Sequence, residues 1–269
     1  MAPIVLIHGL LGYRRFLLWE LFSGVVEALR EKAITAYRPL VHPTASIEER
    51  AEQLRDFIER EIGPQEPYHI IAHSMGGLDA RFLVSPKGLN QGERVVSLTT
   101  LSTPHQGSCL ADIIPDPLRS VIAKSADMGR HLILSEEDKQ FLAAIAENRW
   151  ESLIQLTPAY VREVFNPKVV DSPHVRYFSY AGKIDPHRVS LNTLLRKAVW
   201  QYIADREGEN DGMVSVQSAQ WGTFQGTLSA DHSEIIGLLV NPWGKNPFDH
   251  ITFFLSLAEE LKQLEAETI

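Results

Sequence analysis

Apolar residues along this chain fall into two kinds of run. The first kind is short, unbroken and rich in branched side chains: Pro3–His8, Ala33–Leu40, Ile70–Ala72, Arg94–Ser102, Val175–Gly182 and Gly222–Leu228. Runs like these, bounded by Gly, Pro or turn residues, predict buried strands. The second kind repeats at helical spacing. Trp19–Lys32 places Leu21, Val25, Val26 and Leu29 on one face, and Ser46–Ile62 does the same with Ile47, Ala51, Leu54, Phe57 and Ile58. Ser46 stands at the N-cap of that second helix, with Glu49 in the capping-box position. Further helices are predicted from Met75 to about Val84, over Leu191–Asp205 and over Pro247–Glu267.

Strands and helices alternate through the first part of the chain, which predicts a mostly parallel central sheet with right-handed crossovers and flanking helices. Ligands of such sheets bind at the carboxyl ends of the strands. His8–Leu10, Ser74 and Thr103–His105 all fall there. Residues 107–164 break the alternation. Leu110–Ala123 and Gln140–Leu156 read as helices with no strand between them, and Pro115 and Pro117 punctuate the entry. The expectation is one α/β domain over 1–269 carrying a helical cap or lid at 107–164. Ile113, Ile114, Leu118, Val121 and Ile122 either line an apolar channel or form the core face of an amphipathic helix. After Leu191–Asp205, Glu209–Gly212 reads as a turn and Met213–Val216 as the start of an extended segment.

Composition narrows the chemistry. The net charge of −8 leaves no basic stripe to neutralise phosphates, so nucleic acid is not expected as a partner. Cys109 is the only cysteine, so no intramolecular disulfide forms, and no base is patterned around it to make it a nucleophile. No run is long and apolar enough to span a bilayer, and no signal peptide is expected in this chain, so a cytoplasmic or a mature secreted form fits.

The strongest chemical signal is Tyr68–Leu83, YHIIAHSMGGLDARFL. It reads as strand, sharp turn and helix with Ser74 at the turn. A serine held out on such a turn becomes a nucleophile when a base takes its proton and N–H groups receive the oxyanion. The plainer alternative is a Gly-rich connection whose serine caps the helix. In a nucleophile elbow of this kind the acid and then the base follow the serine in sequence. His232, in a loop after the last strand, is favoured as base over His105, His131, His174, His187 and His250. Asp211, in Asn210–Asp211–Gly212, is favoured as acid, although an Asx-turn aspartate has the same local pattern. Asp185 is the runner-up, and Asp231 adjoins His232 too closely to orient it. The backbone N–H groups of Leu10 and Met75 are the expected oxyanion donors. A metal cluster of His42, His69, His73, Asp79 and His105 is not expected, because they lie on separate elements without ligand spacing. His8–Gly12 also lacks the Lys and Ser/Thr of a phosphate loop.

PIVLIHGLLGYRR, AHSMGGLDARFL, LTTLSTPHQGS, ENDGMVSVQSAQWG and ADHSEIIG together resemble bacterial triacylglycerol lipases of the α/β-hydrolase superfamily. The resemblance covers most of the chain outside 107–164. It implies an α/β-hydrolase fold, Ser74 as nucleophile, Asp211 as acid, His232 as base, and Leu10 and Met75 as oxyanion donors. It further implies hydrolysis of carboxylic esters with medium to long acyl groups. An acyltransferase using the same acyl-enzyme, and a catalytically silent lipid-binding member, are the alternatives. No cofactor, metal or obligate protein partner is expected; apolar esters are the expected substrates, with transient contact to a lipid interface through the cap. Two departures stand out. Ala72 occupies the position where the elbow pattern usually has Gly, and Glu234 stands where some relatives place a calcium-binding aspartate.

Overall fold

A computed structural model describes residues 1–12, 15–16, 19–113, 136–147, 150–185, 193–238 and 247–267. Its centre is a six-stranded sheet of β1 (Ile4–Ile7), β4 (Ala36–Tyr37), β5 (Tyr68–His73), β6 (Val95–Leu101), β7 (Arg176–Gly182) and β8 (Thr223–Leu228), in the order β4-β1-β5-β6-β7-β8. Every pairing in it is parallel. Successive residues of β1 serve opposite faces, as the two-residue period of a strand requires. Ile4 and Leu6 join Ile71 and Leu101 under helices α1 (Val25–Glu31) and α7 (His250–Ala266). Val5 and Ile7 join Ile70, Ala72 and Leu98 under α2 (Ile47–Glu61) and α3 (Gly76–Val84). The α2 stripe of Ala51, Leu54 and Ile58 is fully buried there, so Leu54→Ala removes about 2–5 kcal/mol of stability. The cap of α2 forms as its sequence predicts: Ser46 Oγ accepts from the Glu49 N–H at 3.2 Å.

Four local expectations change. The helix expected over Trp19–Lys32 is confined to α1. Before it, β2 (Arg15–Phe16) and β3 (Trp19–Glu20) form a small antiparallel pair, and Phe22 and Gly24 take left-handed φ values of 53° and 70°, which a helix cannot pass through. The strand expected over Ala33–Leu40 shrinks to two residues at the sheet edge, where only β1 is available to pair with it. The helix expected over Gln140–Leu156 divides into α4 (Glu136–Ala146) and α5 (Glu151–Gln155). Trp150 leaves the helical region at φ −131° and is buried with Leu142, Ile145 and Leu153. Met213–Val216 is not a strand. It is folded into a loop because the Asp211 carboxylate and an isolated Asn210–Ser215 bridge draw it back.

Among the described residues of 107–164, all regular elements are helical: a 3-10 turn at Cys109–Ile113, α4, α5 and a helical run from residue 158 that includes a π-turn at Val161–Phe165. Ile114, Leu118, Val121 and Ile122 lie outside the described residues. The remaining helix, α6 (Thr193–Glu207), precedes the Asp211 loop. No described helix is long and apolar enough to cross a membrane.

Candidate active site

Ser74 leaves β5 with φ 56°, in the left-handed region that disfavours a side chain by about 1–3 kcal/mol. Its backbone is held there on both sides. The Ser74 N–H donates to the Leu101 carbonyl at 2.9 Å, and its carbonyl accepts from Thr103 Oγ1 at 2.7 Å. The turn is tight enough that a Cβ on Gly9 would lie 2.6 Å from Ser74 Cβ, and one on Gly76 would lie 2.6 Å from the His8 carbonyl oxygen. Only glycine fits at either place. The loop after β1 therefore runs directly against Ser74, and Ala72, buried among the α2–α3 cluster, is accommodated where the usual pattern has Gly.

Asp211 reaches the same edge of the sheet by packing over the end of β7, where a Cβ on Gly182 would meet Asp211 Cβ at 2.8 Å. Its buried carboxylate divides its work. Oδ1 accepts from the Met213 and Val214 N–H groups at 2.9 and 2.7 Å. Oδ2 accepts from His232 Nδ1 at 2.7 Å, and the His232 N–H donates to the Asp211 carbonyl at 3.0 Å. Asn210 and Asp211 both make Asx turns, Asn210 Oδ1 accepting from the Gly212 N–H and Asp211 Oδ1 from the Met213 N–H, so Asp211 fills the turn role with one oxygen and holds His232 with the other. Donation of Nδ1–H to Asp211 leaves His232 Nε2 as the ring's acceptor.

The rival acids and bases are placed elsewhere. Asp231 Oδ1 accepts the Ser233 and Glu234 N–H groups at 2.8 Å each and so caps a turn. Asp185 does not hold His232 Nδ1, which goes to Asp211. His105 is buried, stacked on Trp221 and bonded to Thr100, and burial holds its pKa well below the usual histidine value. His174 is exposed, and His250 bonds the Ser23 carbonyl at the start of α7. His131 and His187 lie outside the described residues. His42 faces Glu147, His69 faces Glu265 and Asp79 pairs with Arg50. Glu234 accepts the Asp231 N–H, and no group of three His, Cys, Asp or Glu suited to a metal occurs among the described residues. The Cys109 thiol is pushed up to about 12 by burial and by Glu207, which keeps it protonated.

Leu10 and Met75 both border Ser74, one on the apposed loop and one as the next residue at the start of α3. Neither N–H has an acceptor among the described residues.

Sequence reasoning missed two groups. His73 Nε2 donates to the His232 carbonyl at 2.9 Å, and the two rings lie 4.5 Å apart. This ties the residue before the serine to the loop that carries the base. Burial, then the neighbouring His232, hold the His73 pKa well below its usual value, so the ring is neutral. Arg50 and Asp79 form an ion pair at 2.7 Å with both side chains 0% exposed. Arg50 also donates to the carbonyls of His42 and His8, at 2.8 and 3.0 Å, and so joins α2, α3 and the loop after β1. Arg50 falls on the apolar face of an amphipathic helix, and that misplaced charge was the available signal.

Similarity to known proteins agrees with this architecture. No family model matches the chain. The chain is 31% identical to triacylglycerol lipase 2 of Saccharomyces cerevisiae over 267 residues, 93% of this chain and 75% of that protein. It is 28% identical to the triacylglycerol lipase of Pseudomonas fragi, covering 97% and 96% of the two chains. The crystal structure of Staphylococcus hyicus lipase superposes with a TM-score of 0.74 at 21% identity, over 100% of this chain and 97% of that one. A metagenomic carboxyl esterase superposes at 0.77 with 18% identity, over 97% and 76%. Those two structures bear on the fold, which is that of an α/β hydrolase. The sequence relationship across nearly the whole chain carries the classification: the chain belongs to the triacylglycerol lipase family of carboxylic ester hydrolases.

Proposed function

We propose that the chain hydrolyses apolar carboxylic esters of medium to long acyl groups through a covalent acyl-enzyme on Ser74. The observation that carries this reading is a convergence at one sheet edge. A serine in a left-handed elbow stands beside two N–H groups without an acceptor among the described residues, and a histidine oriented by a buried aspartate at 2.7 Å is tied to the residue before that serine. Ser74 Oγ attacks the ester carbonyl while His232 Nε2 takes its proton. Asp211 keeps the imidazole in the productive tautomer and stabilises the imidazolium. The Leu10 and Met75 N–H groups receive the oxyanion. His232 then protonates the departing alcohol and activates the water that releases the acid.

The 107–164 segment serves as a cap in this reading. Leu142, Ile145, Trp150 and Leu153 pack against Leu10 and Leu11, and Leu156 and Val161 pack in one cluster with Met75. The helices thus rest on both proposed oxyanion donors. Ile113, Ile154 and Met213 remain exposed on or beside this segment, which supports contact with a lipid surface. The test is hydrolysis of p-nitrophenyl esters of graded acyl length, below and above their solubility limit, by the wild type and Ser74→Ala. The expectation is preference for longer acyl groups, a rise in rate beyond solubility, and loss of turnover by roughly six orders of magnitude in the variant. Near wild-type turnover in Ser74→Ala overturns the proposal.

A further inference from the structure

The peptide that presents the Leu10 N–H is held from its other side. His8 Nε2 lies 3.2 Å from the Val41 N–H, a group that only donates, so Nε2 is the acceptor of the ring. The ring hydrogen is then on Nδ1, which lies 2.8 Å from the Gly9 carbonyl and donates to it. Arg50 Nη2 donates to the same oxygen at 3.3 Å. A peptide unit is planar, and in the trans form its C=O and N–H point in opposite directions. Two donors on the Gly9 oxygen therefore set the direction of the Leu10 N–H.

The surroundings preserve this arrangement. A Cβ at residue 12 would fall 1.6 Å from His8 Nδ1, so the ring lies under the loop only because Gly12 has no side chain. His8 is 1% exposed, and burial together with the positive charge of Arg50 holds its pKa down to about 3. The ring stays neutral at ordinary pH. A second ring hydrogen would oppose the Val41 N–H.

We infer that His8 is a positioning residue for ester hydrolysis: its Nδ1–H, with Arg50, holds the Gly9 carbonyl so that the Leu10 N–H faces the developing oxyanion. The inference rests on the proposed roles of Ser74 and Leu10. His8 itself touches no reacting atom and transfers no proton.

Two variants separate the ring's two hydrogen bonds. In His8→Gln the amide reaches the Nε2 position and accepts from Val41 but leaves the Gly9 oxygen without its ring donor. In His8→Asn the amide N–H sits near the Nδ1 position and donates to Gly9. Turnover is measured on a soluble short-chain p-nitrophenyl ester and on its thionoester, in which sulfur, a weak acceptor, replaces the carbonyl oxygen. His8→Gln is expected to lower kcat roughly 10- to 100-fold, part of the roughly 10²–10³-fold that outright loss of an oxyanion donor produces. KM should stay within about twofold, since the interaction is made in the transition state. The ester-to-thionoester rate ratio should narrow with kcat, and His8→Asn should recover most of both. The ratio does not depend on how much of a variant folds. An unchanged ratio in His8→Gln, or a ratio in His8→Asn no nearer to wild type than in His8→Gln, overturns the positioning role. Turnover surviving in Ser74→Ala instead overturns the reading on which it rests.

Discussion

The two walls of the candidate site are built with different forces. On the sheet side, directional bonds hold the turn at Ser74 and the loop after β1. Thr103 fixes its carbonyl, and Arg50 joins Asp79 to the loop after β1. On the helical side, the segment meets that loop chiefly through apolar side chains resting on Leu10, Leu11 and Met75. Its polar ties in this region reach the start of α2 and the residues just before it. Ser152 Oγ donates to the Thr44 carbonyl at 3.0 Å, Gln155 Oε1 accepts the Ile47 N–H at 2.6 Å, and His42 meets a half-exposed Glu147 at 3.3 Å. Hydrogen bonds specify direction, as reacting groups require. Apolar packing specifies volume and tolerates exchange. Under the proposed function, the first wall carries the chemistry and the second the choice of substrate.

Changes to the sheet side should therefore act on turnover or on global stability, and changes to the helical side on substrate form. After loss of Ser74 itself, the largest effect is expected from Asp211→Asn, which turns His232 to the wrong tautomer and lowers kcat by roughly three to four orders of magnitude with little change in fold. Steady-state kinetics beside a circular dichroism melt checks this. Arg50→Met comes next. It leaves the fully buried Asp79 without its cation, for an expected loss of about 3–5 kcal/mol in urea unfolding. Adding Asp79→Leu to that variant should recover much of the loss, because the stranded charge is then gone. If Arg50→Met alone is as stable as wild type, the buried pair does not anchor this wall.

Acid should loosen the same wall. His8, with its pKa near 3, and His73 and His105, held well below the usual range by burial, stay neutral in the fold. The unfolded chain takes up protons on them below about pH 6.5, so their contribution is present above that pH and is lost as pH falls toward their folded values. Each contributes roughly 1.4 kcal/mol per pH unit while the two states differ by a full proton. Asp79, raised to about 6 by burial, works the other way between about pH 6 and 3.8 and offsets one histidine. Melting temperature should fall from pH 7 to 5, and a flat profile contradicts the neutral, buried histidines. The smallest effect on stability is expected from Ile154→Ser, at an exposed position of the helical wall, within about 0.5 kcal/mol. It should lower the rate on emulsified long-chain ester while sparing a soluble short-chain one.

Features governed by neighbours along the chain were readable beforehand. The alternation in Ile4–Ile7, the Ser46 cap and the strand–turn–helix around Ser74 need only local periodicity and turn chemistry. The order of serine, aspartate and histidine was readable as well, and the Asp211–His232 contact gives that order a geometry. What escaped depends on partners distant in sequence. Arg50 finds Asp79 twenty-nine residues on, and His8 finds Val41 across thirty-three. The left-handed Phe22, which delays the start of the helix to Val25, carries no local mark because its side chain is apolar and buried in the core.

The proposed role of Ser74 as nucleophile can be read from the chemistry of the side chain itself, by treating the protein with an alkyl p-nitrophenyl phosphonate and locating the adduct by peptide mass spectrometry. One adduct per chain is expected, on Ser74, absent in Ser74→Ala and formed far more slowly in Asp211→Asn. Labelling of another residue at the wild-type rate, or undiminished labelling of Ser74→Ala, would contradict it.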